Sequence, residues 1–311
     1  MNLKRTAVLV GGIAVAAAVP LWLGAYPVQV AINILFYLTL ALSWDMLLRS
    51  GQINFGVSGL FGVGAYTGAL LFLNLGLSRV WAILAGGVAA AVLAFLVGLA
   101  VLGLRGMYFA ITSLAIAMIL PVVARNIPTV TGGPAGRMLP EVIFRGEVRG
   151  TFWLVLGLAA IAIGLSELFQ QSRIRFSLTA IRNNEWVAKS CGINVFRYLL
   201  FAFTVTSFIQ GLAGATYAHV HGFVAPEGTF HVSFLLLPMA MALLGGIYST
   251  EGSIVGAVIL GTLSEYLKLQ IPYGHLLVYG AVIVVVTLFA PRGVLGIVRT
   301  GVNKFLLAWE R

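Results

Sequence analysis

Charged residues are scarce in this sequence. Only 9% of its 311 residues are Asp, Glu, Lys or Arg, whereas charged residues make up about 25% of an ordinary soluble domain. Hydrophobic residues make up 60%, and the mean hydropathy is +1.02. This composition excludes a water-soluble globular fold. It predicts instead a protein whose helices cross a membrane several times.

Cysteine and lysine are also rare. Cys191 is the only cysteine, which excludes an internal disulfide and a cysteine-built metal cluster. The only lysines are Lys4, Lys189, Lys268 and Lys304. None of them follows a glycine, so the Gly-Lys-Ser/Thr segment of a phosphate-binding loop is missing. The sequence also lacks a nucleophile elbow and a dinucleotide-binding fingerprint. We therefore predict no enzyme activity, no bound cofactor and no metal site in this chain.

Long apolar runs occupy most of the chain. Because a bilayer core of ~30 Å needs ~20 apolar residues per helix, the length accommodates about eight to ten spans. We predict an all-α bundle that forms a single transmembrane domain over residues 1–311. The Gly-rich run 56–75 could cross the membrane or re-enter it. The spans are drawn at residues 7–25, 28–48, 56–75, 80–104, 107–126, 152–171, 198–219, 232–250, 252–270 and 274–290.

The formal net charge of +10 could indicate nucleic acid as a partner or basic anchors beside a membrane. With the ten spans drawn as above, most of the 19 Lys and Arg fall on the side that carries both termini. An excess of Lys and Arg marks cytoplasmic loops. The distribution therefore favours the lipid membrane over nucleic acid as partner, and it places both termini in the cytoplasm.

The longest polar run in the chain extends from Ser177 to Tyr198. Within it, Leu178, Ile181 and Ala188 fall on one side of a helix. The run therefore predicts a short amphipathic helix between two membrane spans. It could be a solvated loop of helix-favouring composition or a docking helix for a soluble partner.

Further residues of the run define the ends and the charged surface of this predicted helix. Ser177 can cap its start, and Gly192 can supply the left-handed turn that ends it. Glu185 lies three residues after Arg182 and four before Lys189. Both spacings allow an ion pair on a helix surface.

The polar run also resembles a known family. The pattern Ala180-Ile181-Arg182, Glu185, Ala188 and Gly192-Ile193 is similar to a loop in the permease subunits of bacterial ABC importers for branched-chain amino acids. The resemblance implies that residues 172–197 form a cytoplasmic coupling loop, gripped by an ATPase. The residues that it assigns to coupling are Ala180, Ile181, Arg182, Glu185, Ala188 and Gly192.

Other segments of the chain extend the resemblance over most of residues 36–296. It implies a complex in the bacterial inner membrane with a second homologous permease, two cytoplasmic ATP-binding subunits and an external solute-binding protein. The ATP would be bound by the partner subunits. The expected cargo is a branched-chain or other hydrophobic amino acid, with urea, amides or other small solutes as the alternative. The matching segments are residues 61–66, 105–111, 131–136, 223–227 and 290–293.

Two Gly-rich segments are candidates for the translocation pathway. Gly51, Gln52 and Asn54 combine flexible backbone with uncharged polar side chains, and Gly245 and Gly246 occupy a similar place in the second half. The segments could serve helix packing through small residues. They could also be broken helices that line a polar route between two repeats.

Acidic residues inside the predicted spans are few. Asp45 lies near the end of the span 28–48, and Arg49 follows four residues later, which favours an ion pair near the membrane interface. A stand-alone secondary transporter would need more coupling groups of this kind, and a membrane-embedded enzyme would need a convergent acid, base or metal set. The sequence therefore favours a permease subunit over both.

Overall fold

The computed structural model describes residues 3–104, 106–270, 274–289 and 293–296. The predicted all-α bundle is confirmed. The predicted roles of Arg105 and of residues 290–292 concern positions outside the described residues. The helices are α1 (Leu3–Trp22), α2 (Ala25–Leu48), α3 (Val57–Leu75), α4 (Arg79–Val101), α5 (Met107–Arg125), α6 (Pro128–Thr131), α7 (Val148–Gln171), α8 (Arg173–Asn183), α9 (Glu185–Ser190), α10 (Val195–His221), α11 (Pro226–Thr229), α12 (Ser233–Gly245), α13 (Thr250–Gln270) and α14 (His275–Phe289).

Eight helical segments among the described residues are long and apolar enough to cross a membrane. The Gly-rich run 56–75 is one of them, because α3 continues as a helix for 19 residues. Two shorter apolar segments, Gly11–Trp22 and Leu277–Val286, coincide with the first and last predicted spans. The chain is therefore a multi-pass membrane protein.

One predicted boundary is wrong. The span drawn at 232–250 ends at Gly245, and a turn connects α12 to α13. Gly246 has φ 126° and Tyr248 has φ 65°, which no helix accommodates. The α12–α13 turn, residues 246–249, is therefore a sharp reversal within an apolar run, where hydropathy alone shows no break.

Helix α10 lies at the centre of the bundle and packs against α2, α3 and α4. Glycine permits the close approach of α10 to α3. A Cβ atom on Gly214 would lie 1.9 Å from the carbonyl oxygen of Phe61, and one on Gly64 would lie 2.2 Å from the carbonyl oxygen of Gly211. Small residues allow such backbone contact between helices in a bilayer. The two glycines therefore fix the distance between α3 and α10.

Replacing Gly214 by alanine is expected to lower the free energy of unfolding by about 1–3 kcal/mol, because the added methyl group meets backbone that cannot rotate away. The measurement is thermal unfolding of the purified protein in detergent. Gly157→Ala on α7 is the matched control, since nothing lies within 4 Å of a Cβ atom there. Equal stability of the Gly214 variant and the control would contradict this packing.

The bundle has two different ends. At one end α8 and α9 lie beside the C-terminal ends of α2 and α7 and the α12–α13 turn; we call this the α8–α9 end. At the other end the strands β1 (Arg137–Met138) and β2 (Phe223–Val224) pair antiparallel. The exposed ion pairs Arg79–Glu141 and Arg125–Glu227 also lie there. The polar loops therefore gather at opposite ends of the apolar helices.

Candidate functional site: the α8–α9 end of the bundle

The predicted single helix in the polar run is two helices. Asn184 has extended backbone between α8 and α9, and its Oδ1 accepts hydrogen bonds from the backbone N–H groups of Trp186 at 3.0 Å and Val187 at 3.3 Å. Asn184 therefore ends α8 and caps α9. The predicted cap Ser177 lies buried inside α8 instead. The predicted left-handed turn at Gly192 is confirmed, with φ 79°.

The predicted apolar face of the run is confirmed. Leu178, Ile181 and Ala188 are all buried in the main hydrophobic core of the bundle. The opposite side is exposed and also apolar: Phe176 is 74% exposed and Trp186 is 71% exposed. A surface-exposed Trp and Phe on a short helix pair form a typical protein contact surface. The helix pair is thus anchored on one side and open on the other.

Only one of the two predicted ion pairs forms. Lys189 Nζ lies 2.9 Å from Glu185 Oε1, one helical turn away on α9. Arg182 and Glu185 are separated by the break at Asn184, and the Arg182 guanidinium lies over the ring of Tyr248, 3.8 Å from its centroid. The side chain of Arg182 therefore connects α8 to the α12–α13 turn.

Asp45 and Arg49 form the predicted ion pair, but deep inside the protein. The distance from Arg49 Nη2 to Asp45 Oδ2 is 2.8 Å, and the two side chains are 8% and 0% exposed. Arg49 also donates hydrogen bonds to the carbonyl oxygen and the hydroxyl of Ser166 on α7, at 2.9 and 2.8 Å. Asp45 Oδ1 accepts a hydrogen bond from the backbone N–H of Tyr248. The predicted location near the membrane interface is therefore replaced by a buried polar network.

This network continues along the start of α13. The hydroxyl groups of Ser166 and Thr250 lie 2.8 Å apart, and Thr250 donates to Gln170 Oε1 at 3.0 Å. Because buried charges are costly unless their hydrogen bonds are satisfied, the network fixes the relative positions of α2, α7 and α13. Sequence reasoning found the pair and missed the three polar residues that complete it.

The candidate pathway residues Gln52 and Asn54 are buried in the irregular segment between α2 and α3. Asn54 Oδ1 accepts a hydrogen bond from the backbone N–H of Gly56 at 2.7 Å, and its carbonyl oxygen accepts one from Trp44 Nε1 at 3.0 Å. Asn54 Nδ2 and Gln52 Oε1 have no hydrogen-bond partner among the described residues. Asn54 also lines a narrow cavity together with Ser113. Unsatisfied polar atoms at such a position are typical of a site that meets water or a ligand in another state.

The two predicted Gly-rich segments meet at Arg182. A Cβ atom on Gly51, whose φ is 86°, would lie 3.3 Å from Arg182 Cγ. On the other side, Tyr248 follows shortly after Gly245 and Gly246 and stacks on the same side chain. A Cβ atom on Gly245 would lie 1.8 Å from the carbonyl oxygen of Gly252, so this glycine allows α12 to touch α13. The role of the five residues in a pathway stays a prediction.

Replacing both Gln52 and Asn54 by alanine is expected to reduce transport by about tenfold or more while the protein still assembles, because the lost polar groups include two unpaired atoms that do not hold the fold. The measurement compares solute uptake with the yield of assembled complex. Ser190→Ala, which removes one exposed hydroxyl on α9, is the control. A loss of assembly without a separate loss of transport would show that both residues serve packing.

Comparison with known proteins identifies the family. The family described as "Branched-chain amino acid transport system / permease component" matches residues 26–287. The high-affinity branched-chain amino acid transport system permease protein LivM of Salmonella typhimurium is 30% identical, with 96% of this chain and 76% of that protein covered. LivM of Escherichia coli K12 shows the same identity and coverage. The permease protein LivH of Escherichia coli K12 is 24% identical, over 84% of this chain and 91% of that protein.

No solved structure matches this chain. The family match covers most of the described bundle, including α2, the α8–α9 end and α13. The chain therefore belongs to the family of permease components of branched-chain amino acid transport systems.

Proposed function

We propose that this chain is the membrane-spanning permease subunit of an ATP-driven importer for branched-chain or other hydrophobic amino acids. It forms half of the translocation pathway, beside a second homologous permease in the bacterial inner membrane, with both termini in the cytoplasm. An external solute-binding protein delivers the amino acid. Two cytoplasmic subunits bind and hydrolyse ATP, because this chain has no phosphate-binding loop of its own.

The observation that carries this proposal is the two-sided construction of α8 and α9. Their inner side is buried in the core through Leu178, Ile181 and Ala188, and their outer side exposes Phe176 and Trp186. A force applied to the outer side must therefore move or deform the helices packed against the inner side. This is the arrangement that a coupling element between a soluble motor and a membrane pathway requires.

A cleft beside the two helices adds to the contact surface. Its volume is about 450 Å³, and Arg49, Arg175, Arg182 and Tyr248 are among its lining residues. Charge complementarity therefore favours a partner surface that carries carboxylates at this place. ATP-driven closure of the partner subunits would displace α8 and α9 and switch the bundle from an outward-open to an inward-open arrangement, a discrete shift of packed helices.

The proposal is tested by reconstitution. The chain is co-expressed with the candidate second permease and ATP-binding subunits, purified and placed in liposomes with the solute-binding protein. We expect the ATP-binding subunits to co-purify and the vesicles to accumulate leucine, isoleucine or valine only when ATP is present. Uptake of urea in place of these amino acids would reassign the cargo. Uphill uptake by vesicles that hold this chain alone would overturn the proposal.

A further inference from the structure

Tyr248 has an unusual backbone conformation for a bulky residue. Its φ of 65° lies in the left-handed region, and the preceding Gly246 has φ 126°. Side chains with a Cβ atom rarely adopt such angles, and they persist where the surroundings hold them in place. Here the backbone N–H of Tyr248 donates a hydrogen bond to the buried carboxylate of Asp45. The α12–α13 turn is therefore held in a strained conformation by a charge on α2.

The ring of Tyr248 makes a second contact, with a different helix. The Arg182 guanidinium of α8 lies 3.8 Å from its centroid, which is a close cation–π contact. The ring itself is partly exposed. One residue thus joins the coupling helix α8 by its side chain and the core helix α2 by its backbone.

The helices on both sides of the turn are fixed by other contacts. Thr250, at the start of α13, is bonded to Ser166 and Gln170 of α7. Gly245, at the end of α12, is packed against Gly252 of α13. The strained residues between these anchors are the part of the connection that can change conformation while α12 and α13 keep their internal structure.

We propose that Tyr248 and Arg182 transmit the displacement of α8 to the α12–α13 turn and, through Asp45 and Arg49, to α2 and α7. When α8 moves away, the Tyr248 ring follows the Arg182 guanidinium. The backbone N–H then leaves Asp45, and the turn relaxes to an ordinary φ. Return of α8 restores the strained form. The turn therefore has two discrete arrangements, which a transport cycle requires of its moving parts. This inference rests on the proposed function of α8 and α9 as the coupling element.

The inference predicts loss of coupling without loss of assembly. A cation–π contact shifts a two-state equilibrium by about two- to thirtyfold. In the reconstituted complex with all partner subunits, Tyr248→Ala is expected to retain the ATP-binding subunits and to hydrolyse ATP within about twofold of the unmodified complex. Its amino-acid uptake per ATP is expected to fall by about tenfold. Tyr248→Phe keeps the ring, and its uptake is expected to stay within about twofold.

Further variants separate transmission from folding. Arg182→Met removes the cation and leaves the turn intact, so it is expected to lower uptake per ATP like Tyr248→Ala, and the double variant is expected to be no worse than either single variant. Tyr266→Ala on α13 is the matched control, since this ring is exposed and lies away from the turn. Unchanged uptake per ATP in both Tyr248→Ala and Arg182→Met, or equal loss in Tyr266→Ala, would overturn the inference.

The failure of the proposed function gives a different result. If the unmodified complex binds no ATP-binding subunits or shows no ATP-dependent uptake, the assignment of α8 and α9 as coupling element is wrong. If the unmodified complex transports normally and both variants do too, only the transmission by Tyr248 and Arg182 is wrong.

Discussion

Replacing Asp45 by alanine is expected to lower the free energy of unfolding by about 3–5 kcal/mol, because the substitution leaves Arg49 as an unpaired charge inside the bundle. It also removes the acceptor of the Tyr248 backbone N–H. The measurement is thermal unfolding of the purified protein in detergent, with the amount of folded protein in the membrane as a second readout.

A double variant shows that the unpaired charge causes this loss. Replacing Asp45 by leucine and Arg49 by methionine removes both charges together, and such exchanges of a buried pair for apolar residues are often neutral. We therefore expect the double variant to be clearly more stable than Asp45→Ala alone. A single variant as stable as the unmodified protein would mean that the network does not hold α2, α7 and the α12–α13 turn together.

Replacing Glu185 by lysine is expected to reduce solute uptake to background while the protein still inserts into the membrane. Glu185 Oε1 lies 2.9 Å from Lys189 Nζ, and its side chain is only 14% exposed. The substitution therefore places two positive charges one turn apart and removes the acidic residue from the first turn of α9. The measurements are uptake of labelled leucine by whole cells and immunoblotting of the membrane fraction.

Glu265→Lys on α13 is the matched control for this experiment. It breaks a comparable pair, in which Lys268 Nζ lies 2.6 Å from Glu265 Oε1 and the acidic side chain is 17% exposed. Because this pair lies away from α9, uptake is expected to continue. Normal uptake in the Glu185 variant, or equal loss in the control, would argue against a special role of α9.

The sequence was sufficient to predict the helices of this fold and the buried side of its polar run. Apolar runs of membrane-spanning length determine the bundle, and helical spacing placed Leu178, Ile181 and Ala188 on one side. The break at Asn184 was missed, although asparagine is among the preferred caps of helices. A helix-favouring composition on both sides hid this local signal.

The polar network could not be predicted from sequence spacing. Arg49 and Ser166 are 117 residues apart, and Asp45 and Tyr248 are 203 residues apart. Only the local pair of Asp45 and Arg49 follows a helical spacing. The remaining partners meet because α2, α7 and α12 pack together, and this packing is a property of the whole bundle.

Selective labelling of Cys191 tests the central claim most directly, because this sole cysteine is exposed directly after α9. A membrane-impermeant maleimide is applied to right-side-out and inverted membrane vesicles, with and without the ATP-binding subunits. The account predicts labelling only in inverted vesicles and protection when these subunits are bound. Labelling from the outside would contradict it, since α8 and α9 would then lie on the wrong side of the membrane to meet a cytoplasmic ATPase.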